Sequence, residues 1–166
     1  MISVRMHGVA LLPPNDAPVM LLRETVGEQR WMAIWIGAPE ANALLAAHQQ
    51  VENPRPDTIE LIGQVIDAFG RQVERVQVTT LQDNVFHADL ILDDGTRISA
   101  RPSDAVAIGL RAEAPIDVED TVLAAATVVI NVAEATEGDD VEQEIANFRA
   151  RLDDVTPEDF GDAEDD

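Results

Sequence analysis

The segment Ala100-Arg101-Pro102-Ser103-Asp104-Ala105 sets a guanidinium, a hydroxyl and a carboxylate within four residues, where a strand pattern gives way to a helix pattern. A carboxylate beside an arginine at a helix start has the chemistry to bind Mg²⁺ and to steady a phosphate. The same residues also fit a plainly structural reading. Ser103 would be the N-cap, Asp104 would complement the helix dipole, and Arg101 would pair with Asp104. An earlier segment, Glu40-Ala41-Asn42-Ala43-Leu44, echoes Asp104-Ala105-Val106-Ala107-Ile108 at a separation of 64 residues. If the two segments are symmetry mates, Glu40 and Asp104 are partner carboxylates. Converging on one cleft, they would suit Mg²⁺ or Mn²⁺; facing apart, they are two surface helix starts.

Two further groups carry candidate chemistry. His87 and Asp89 are two residues apart in a strand pattern and so share one face, where they could act as base and orienter or as metal ligands. A solvated sheet face is the simpler account of the same pair. Arg55, flanked by Pro54 and Pro56, is held in an extended loop and could contact an anion. The candidate catalytic residues are thus Asp104, Arg101, Ser103 and His87. Arg55 and Arg101 are the candidate substrate contacts, and Glu40 and Asp104 the candidate metal ligands. There is no Gly-rich phosphate loop, no His-Glu-x-x-His and no Gly-x-Ser-x-Gly motif. His7, His48 and His87 are too scattered to make a local metal motif.

The elements that position these residues follow from periodicity. Alternation predicts strands over Val4–Leu12, Pro18–Arg23 and Trp31–Ile36, with Pro13-Pro14-Asn15-Asp16 turning the chain. Pro39 suits a first helical turn, and Glu40–Gln50 is Ala- and Leu-rich. Thr58 opens a second helix with Ile59, Ile62, Val65, Ile66 and Phe69 on one face, closed by Gly70. The pattern then repeats: strands over Glu74–Leu81, Val85–Leu92 and Arg97–Ala100, a tight turn at Asp93-Asp94-Gly95-Thr96, and a helix from Ser103 to about Ala112. Pro115–Val118 and Val122–Val132 read as extended. The prediction is an α+β domain of two β-β-β-α units with a connecting helix, over residues 1–133.

Residues 134–166 form an acidic extension with 14 acidic and 2 basic residues, against a whole-chain charge of −21. Within it Val141, Ile145, Phe148, Leu152 and Val155 make an apolar seam on a charged helix, which needs a partner surface. The last residues, 161–166, read as disordered. No cysteine is present, so disulfides and thiolate chemistry are excluded. No apolar run is long enough to span a membrane, and the first residues lack a signal-peptide pattern, which predicts a cytoplasmic protein. The negative charge disfavours nucleic acid at long range, and 4% aromatic content with no basic stripe removes its usual signs.

At four places the chain resembles the bifunctional nuclease domain family. These are Ala33-Ile34-Trp35-Ile36-Gly37 leading to Glu40-Ala41, Arg55-Pro56-x-Thr58, Phe86-His87-Ala88-x-Leu90, and Ala100-Arg101-Pro102-Ser103-Asp104-Ala105-Val106-Ala107. The likeness runs from about Val4 to Val132. The tail with Pro157-Glu158-Asp159-Phe160 looks like that of members from high-GC Gram-positive bacteria. The resemblance implies an α+β fold, self-association into a homo-oligomer, and nuclease activity on DNA and RNA. Family members commonly carry His after Arg-Pro-x-Thr; Ile59 stands there in this chain. The family's Phe-Tyr-Ala is Phe86-His87-Ala88 here. Two functions are therefore in view. One is a metal-assisted nuclease; the other is a non-catalytic oligomeric module that binds a protein partner through the C-terminal helix.

Overall fold

The computed structural model describes residues 1–12 and 15–129. The Pro13-Pro14 break, the 133/134 boundary and the C-terminal helix with its acidic tail lie outside these residues. Within them the order is β1 (Ile2–Leu12), β2 (Ala17–Glu24), β3 (Trp31–Trp35), α1 (Ala38–His48), α2 (Thr58–Ala68), β4 (Val73–Gln82), β5 (Val85–Leu92), β6 (Arg97–Ala100), α3 (Pro102–Arg111), β7 (Ile116–Val118), α4 (Asp120–Ala125) and β8 (Thr127–Val128).

All the strands form one sheet in the order β6-β5-β4-β7-β1-β2-β3-β8. Each half contributes an antiparallel meander, β1-β2-β3 and β4-β5-β6. Strand β7 lies between them, parallel to β4 and antiparallel to β1. The two meanders therefore run in opposite senses on either side of β7, which makes them mates about an axis normal to the sheet. Each is followed by its own helix, so the predicted α+β plan of two β-β-β-α units joined by a helix is the observed one.

Strand alternation puts Val4, Met6, Met20, Leu22, Met32, Ile34, Val76, Val78, Ala88 and Leu90 on one face, where they form the core. Helix α1 packs over β1 and β2, α3 packs over β4 and β5, and the two helices lie side by side. The opposite face carries mostly polar and charged side chains, with Trp31, Trp35 and Ile91 among them, and no helix among the described elements.

Two segments differ from the expectation. Val122–Val132 was expected to be extended, yet Asp120–Ala125 is helical and only Thr127–Val128 is strand. The helical turn buries Val122 and Leu123 together, which alternation would not, and Ala124 and Ala125 are good helix formers. Helix α2 has the expected position but not the expected burial. Ile59 is in the core, whereas Leu61, Ile62, Val65 and Phe69 are exposed. Its first turn is anchored by a capping box between Asp57 and Glu60, and the remaining turns extend beyond the core.

The seat of α3 is set by Gly109. A Cβ there would collide with Cγ2 of Val76 on β4, and a β-branched valine cannot swing away. Gly109→Val is expected to destabilise the fold by about 2 kcal/mol. Gly63→Ala, in α2 with nothing within 4 Å of the added carbon, is expected to stabilise it by up to about 1 kcal/mol. Urea unfolding of the two variants beside wild type checks both signs.

Candidate functional site

The two helix starts singled out by the sequence echo are equivalent in the fold. Helix α1 begins at Ala38 after Gly37, and α3 begins at Pro102 after Arg101. Glu40 and Asp104 are each the third residue of their helix. Because α1 and α3 lie side by side, both carboxylates reach the same guanidinium. Arg101 donates from Nε and Nη2 to Asp104, at 2.6 and 3.0 Å, and from Nη1 to Glu40 at 2.8 Å. Glu40 and Asp104 therefore meet at one guanidinium, with the largely exposed Arg101 between them. These charge-assisted bonds hold the Arg101 guanidinium protonated well beyond its ordinary range, Asp104 contributing most and Glu40 less.

Local sequence explains this geometry. Oε2 of Glu40 occupies the space that a Cβ on Gly37 would fill, so only glycine lets this carboxylate fold back over the helix start. Arg101 has an extended backbone (φ −66°, ψ 145°) and is itself the N-cap. Ser103 was expected to be the cap. It is instead the second helical residue and is buried. Pro102 explains the shift: its fixed φ and missing N–H suit the first helical position, which moves the cap back to Arg101.

The other candidates do not join this cluster. His87 is exposed on the helix-free face of the sheet. Asp89 does not orient it, because its Oδ2 accepts from Arg97 Nε and Nη2 at 3.1 and 2.8 Å. Arg55 lines an open groove of about 760 Å³ with Asn42, Ala46, Asn53 and Thr58. Ile59, at the position where the family resemblance implies a histidine, lines the same groove and belongs to the core. That loop is tied to α3 by Arg111, which donates from Nη1 to the Val51 carbonyl at 2.8 Å and lies 3.3 Å from Glu60. Hydrogen bonds from the Asp57 backbone and the Asn53 side chain, with Arg111 nearby, hold the Glu60 carboxyl below its usual range.

Sequence comparison adds to the cluster geometry. The sequence pattern of the bifunctional nuclease domain matches residues 20–131. The chain belongs to that family. It is 44% identical over 160 residues to an uncharacterized protein of Mycobacterium tuberculosis, covering 95% of this chain and 97% of that one. It is 30% identical over 113 residues to bifunctional nuclease 2 of Arabidopsis thaliana, covering 63% of this chain and 34% of the plant protein. Bifunctional nuclease 2 of Oryza sativa is 27% identical over 113 residues, again 63% of this chain and 35% of that protein. The domain thus spans about a third of each plant relative.

As arranged, the donor set does not fit a resident Mg²⁺ or Mn²⁺. Both oxygens of Asp104 and Oε1 of Glu40 already accept from Arg101. Among the described residues no three His, Cys, Asp or Glu side chains are grouped to hold a metal. The guanidinium sits where a cation shared by the two carboxylates would sit. Arg101→Gln removes that charge and is expected to raise Mn²⁺ affinity above that of wild type. Electron paramagnetic resonance of added Mn²⁺ would read the gain, and the Glu40→Gln, Arg101→Gln double variant should lose it again.

Proposed function

We propose that this chain is a nuclease that hydrolyses phosphodiester bonds at the Glu40–Arg101–Asp104 cluster. The reading is carried by one observation: the two symmetry-related acids converge on a single, largely exposed arginine. Arg101 has five N–H donors, of which three are used. One hydrogen on Nη1 and one on Nη2 remain for two oxygens of a phosphate, the bidentate geometry arginine favours. A carboxylate beside that phosphate takes the proton of the attacking water as the new P–O bond forms. It returns the proton to the leaving oxygen as the old bond breaks. The family membership and the names of the plant relatives support this reaction class. His87 and Arg55 lie apart from the cluster, and their roles in this reading are to contact flanking parts of a long substrate.

The test is cleavage of single-stranded DNA and RNA by rigorously purified protein, with Mg²⁺, with Mn²⁺ and with chelator, beside Asp104→Asn and Glu40→Gln prepared identically. Each substitution is expected to lower the rate by about 10²-fold or more, the usual yield of a general base. Equal rates in wild type and both variants overturn the assignment.

A second reading, self-association, is favoured by α2. Leu61, Ile62, Val65 and Phe69 are 50, 37, 48 and 81% exposed on a helix whose main neighbour among the described elements is α3. An apolar stripe of this kind marks a contact surface, and we assign it to a second copy of this chain. Val65→Glu with Phe69→Glu is expected to lower the molar mass seen by light scattering after size exclusion. An unchanged mass removes α2 from the interface. The protein-partner reading rests on residues outside those described.

A further inference from the structure

The helix-free face of the sheet carries a charge pattern that no stretch of sequence contains. Sheet register places Arg97 beside Ile91, Ile91 beside Arg75, Arg5 beside Arg23, and Arg23 beside Trp31. Pro115, just before β7, bridges Arg75 to Arg5: the ladders Val76–Ile116 and Ile116–Val4 each continue one step to it. Four arginines and a tryptophan therefore lie in one row across seven strands, about 29 Å at the usual ~4.8 Å strand spacing. Trp35, four residues beyond Trp31 on the same face, is 60% exposed. The chain has only two tryptophans, and both are on this face.

The row is basic within a chain of net charge −21. Arg97 pairs with Asp89 at 2.8 Å, and Arg75 with Asp117 and Glu74 at 3.3 and 3.4 Å. Arg5 and Arg23 meet no carboxylate among the described residues. They wall a hollow of about 230 Å³ with His7, Glu24, Thr25 and Gln29, where the Glu24 carboxylate is taken up by Arg30 at 2.9 Å. Arg23 donates to Gln29 at 2.6 Å and stacks over Trp31, 5.0 Å from the ring centre. Its Nε is shielded from solvent and has no acceptor, a costly state. A β-bulge between Met6 and Gly8 turns His7 toward this end, 4.8 Å from the Trp31 ring. Burial, then the charges of Arg23 and Arg5, lower the pKa of His7, so the positive charge of the hollow is that of the arginines.

We propose that this face binds a single-stranded nucleic acid, its phosphates along the arginine row and a base against the exposed Trp35, beside the Arg23–Trp31 stack. Spaced cations with aromatic platforms beside them suit a single strand, since every base offers a π-face and every linkage a charge; here both platforms stand at the β3 end of the row. A duplex keeps its bases stacked inside and has no use for the tryptophans. The row ends at edge strand β6, and Arg101 follows four residues after Arg97, about 13 Å along an extended backbone, where the chain leaves that edge for the helical face. On the nuclease reading above, on which this last point rests, the row gathers the anion that two carboxylates around Arg101 would repel.

The experiment is anisotropy of a labelled oligothymidylate of about 12 nucleotides with the full chain carrying Asp104→Asn, in chelator, over a range of salt. Four phosphate contacts predict a slope of log K on log salt of about −2.8, and Arg5→Gln with Arg75→Gln should bring it to about −1.4. Arg71→Gln, an exposed arginine off the row, should leave the slope unchanged. Tryptophan emission should be quenched on binding. No saturable binding at low salt overturns the proposal, as does a slope that the row variants do not move. Polyglutamate displacing the strand at equal charge assigns the row to an acidic peptide and overturns it too. Cleavage by wild type that is indifferent to the row variants leaves the nuclease reading standing and removes this one. Binding without cleavage does the reverse.

Discussion

Three residues hold the two halves of this protein in register. Ile116, Asp117 and Val118 make the whole of β7, and in the sheet both β1 and β4 meet the other half only through it. All three are buried. Ile116 and Val118 point into the core beside Val4, Val76 and Val78, while Asp117 emerges on the other face to meet Arg75. The alternation is unforgiving. A shift of one residue would bring Asp117 into the apolar layer and turn both aliphatic side chains out. The pairing that β7 enforces therefore fixes where α1 and α3 sit on one face, and which side chains line up across the other.

The two faces follow different logic. On the helical face duplication brings like to like: the third residue of each helix is an acid, and side-by-side helices bring the two acids to one arginine. On the open face the two halves contribute unlike things. Both supply arginines, but only the first supplies tryptophans, through β3. A chain of net charge −21 can still present a basic face, because at physiological ionic strength charges further apart than about 8 Å are largely screened from one another. The total charge therefore sets long-range repulsion, and the local pattern sets what is held at contact.

Much of the fold was legible in the sequence because its signals are local. Alternation gave the meanders, Pro39 and Gly70 marked helix ends, and Asp93-Asp94-Gly95-Thr96 marked the turn between β5 and β6. The echo of Glu40 in Asp104 marked two equivalent helix starts, but whether they converge or face apart was not legible in it. What stayed hidden depends on tertiary placement. The arginine row draws on positions 5, 23, 75 and 97, which no sequence window holds together, so a chain without a basic run still has a basic stripe. The apolar side of α2 has the periodicity of a core face, and periodicity does not say whether a partner surface belongs to the same chain. Ser103 has the chemistry of a cap, but Pro102 decides the cap position. His87 and Asp89 do share a face, yet Arg97, one strand over, claims the carboxylate.

All eleven basic residues of this chain are arginine. The guanidinium stays protonated at any pH a cell reaches, and it carries no primary amine. Lysine-directed chemistry therefore has no purchase on the row: acetylation cannot erase its charge, and ubiquitin has no side chain to join there. Of the cell's usual ways of altering positive charge, arginine methylation remains, and it keeps the charge while blocking bidentate hydrogen bonds. Regulation at this face would thus act on the fit of an anion rather than on the field that draws it in.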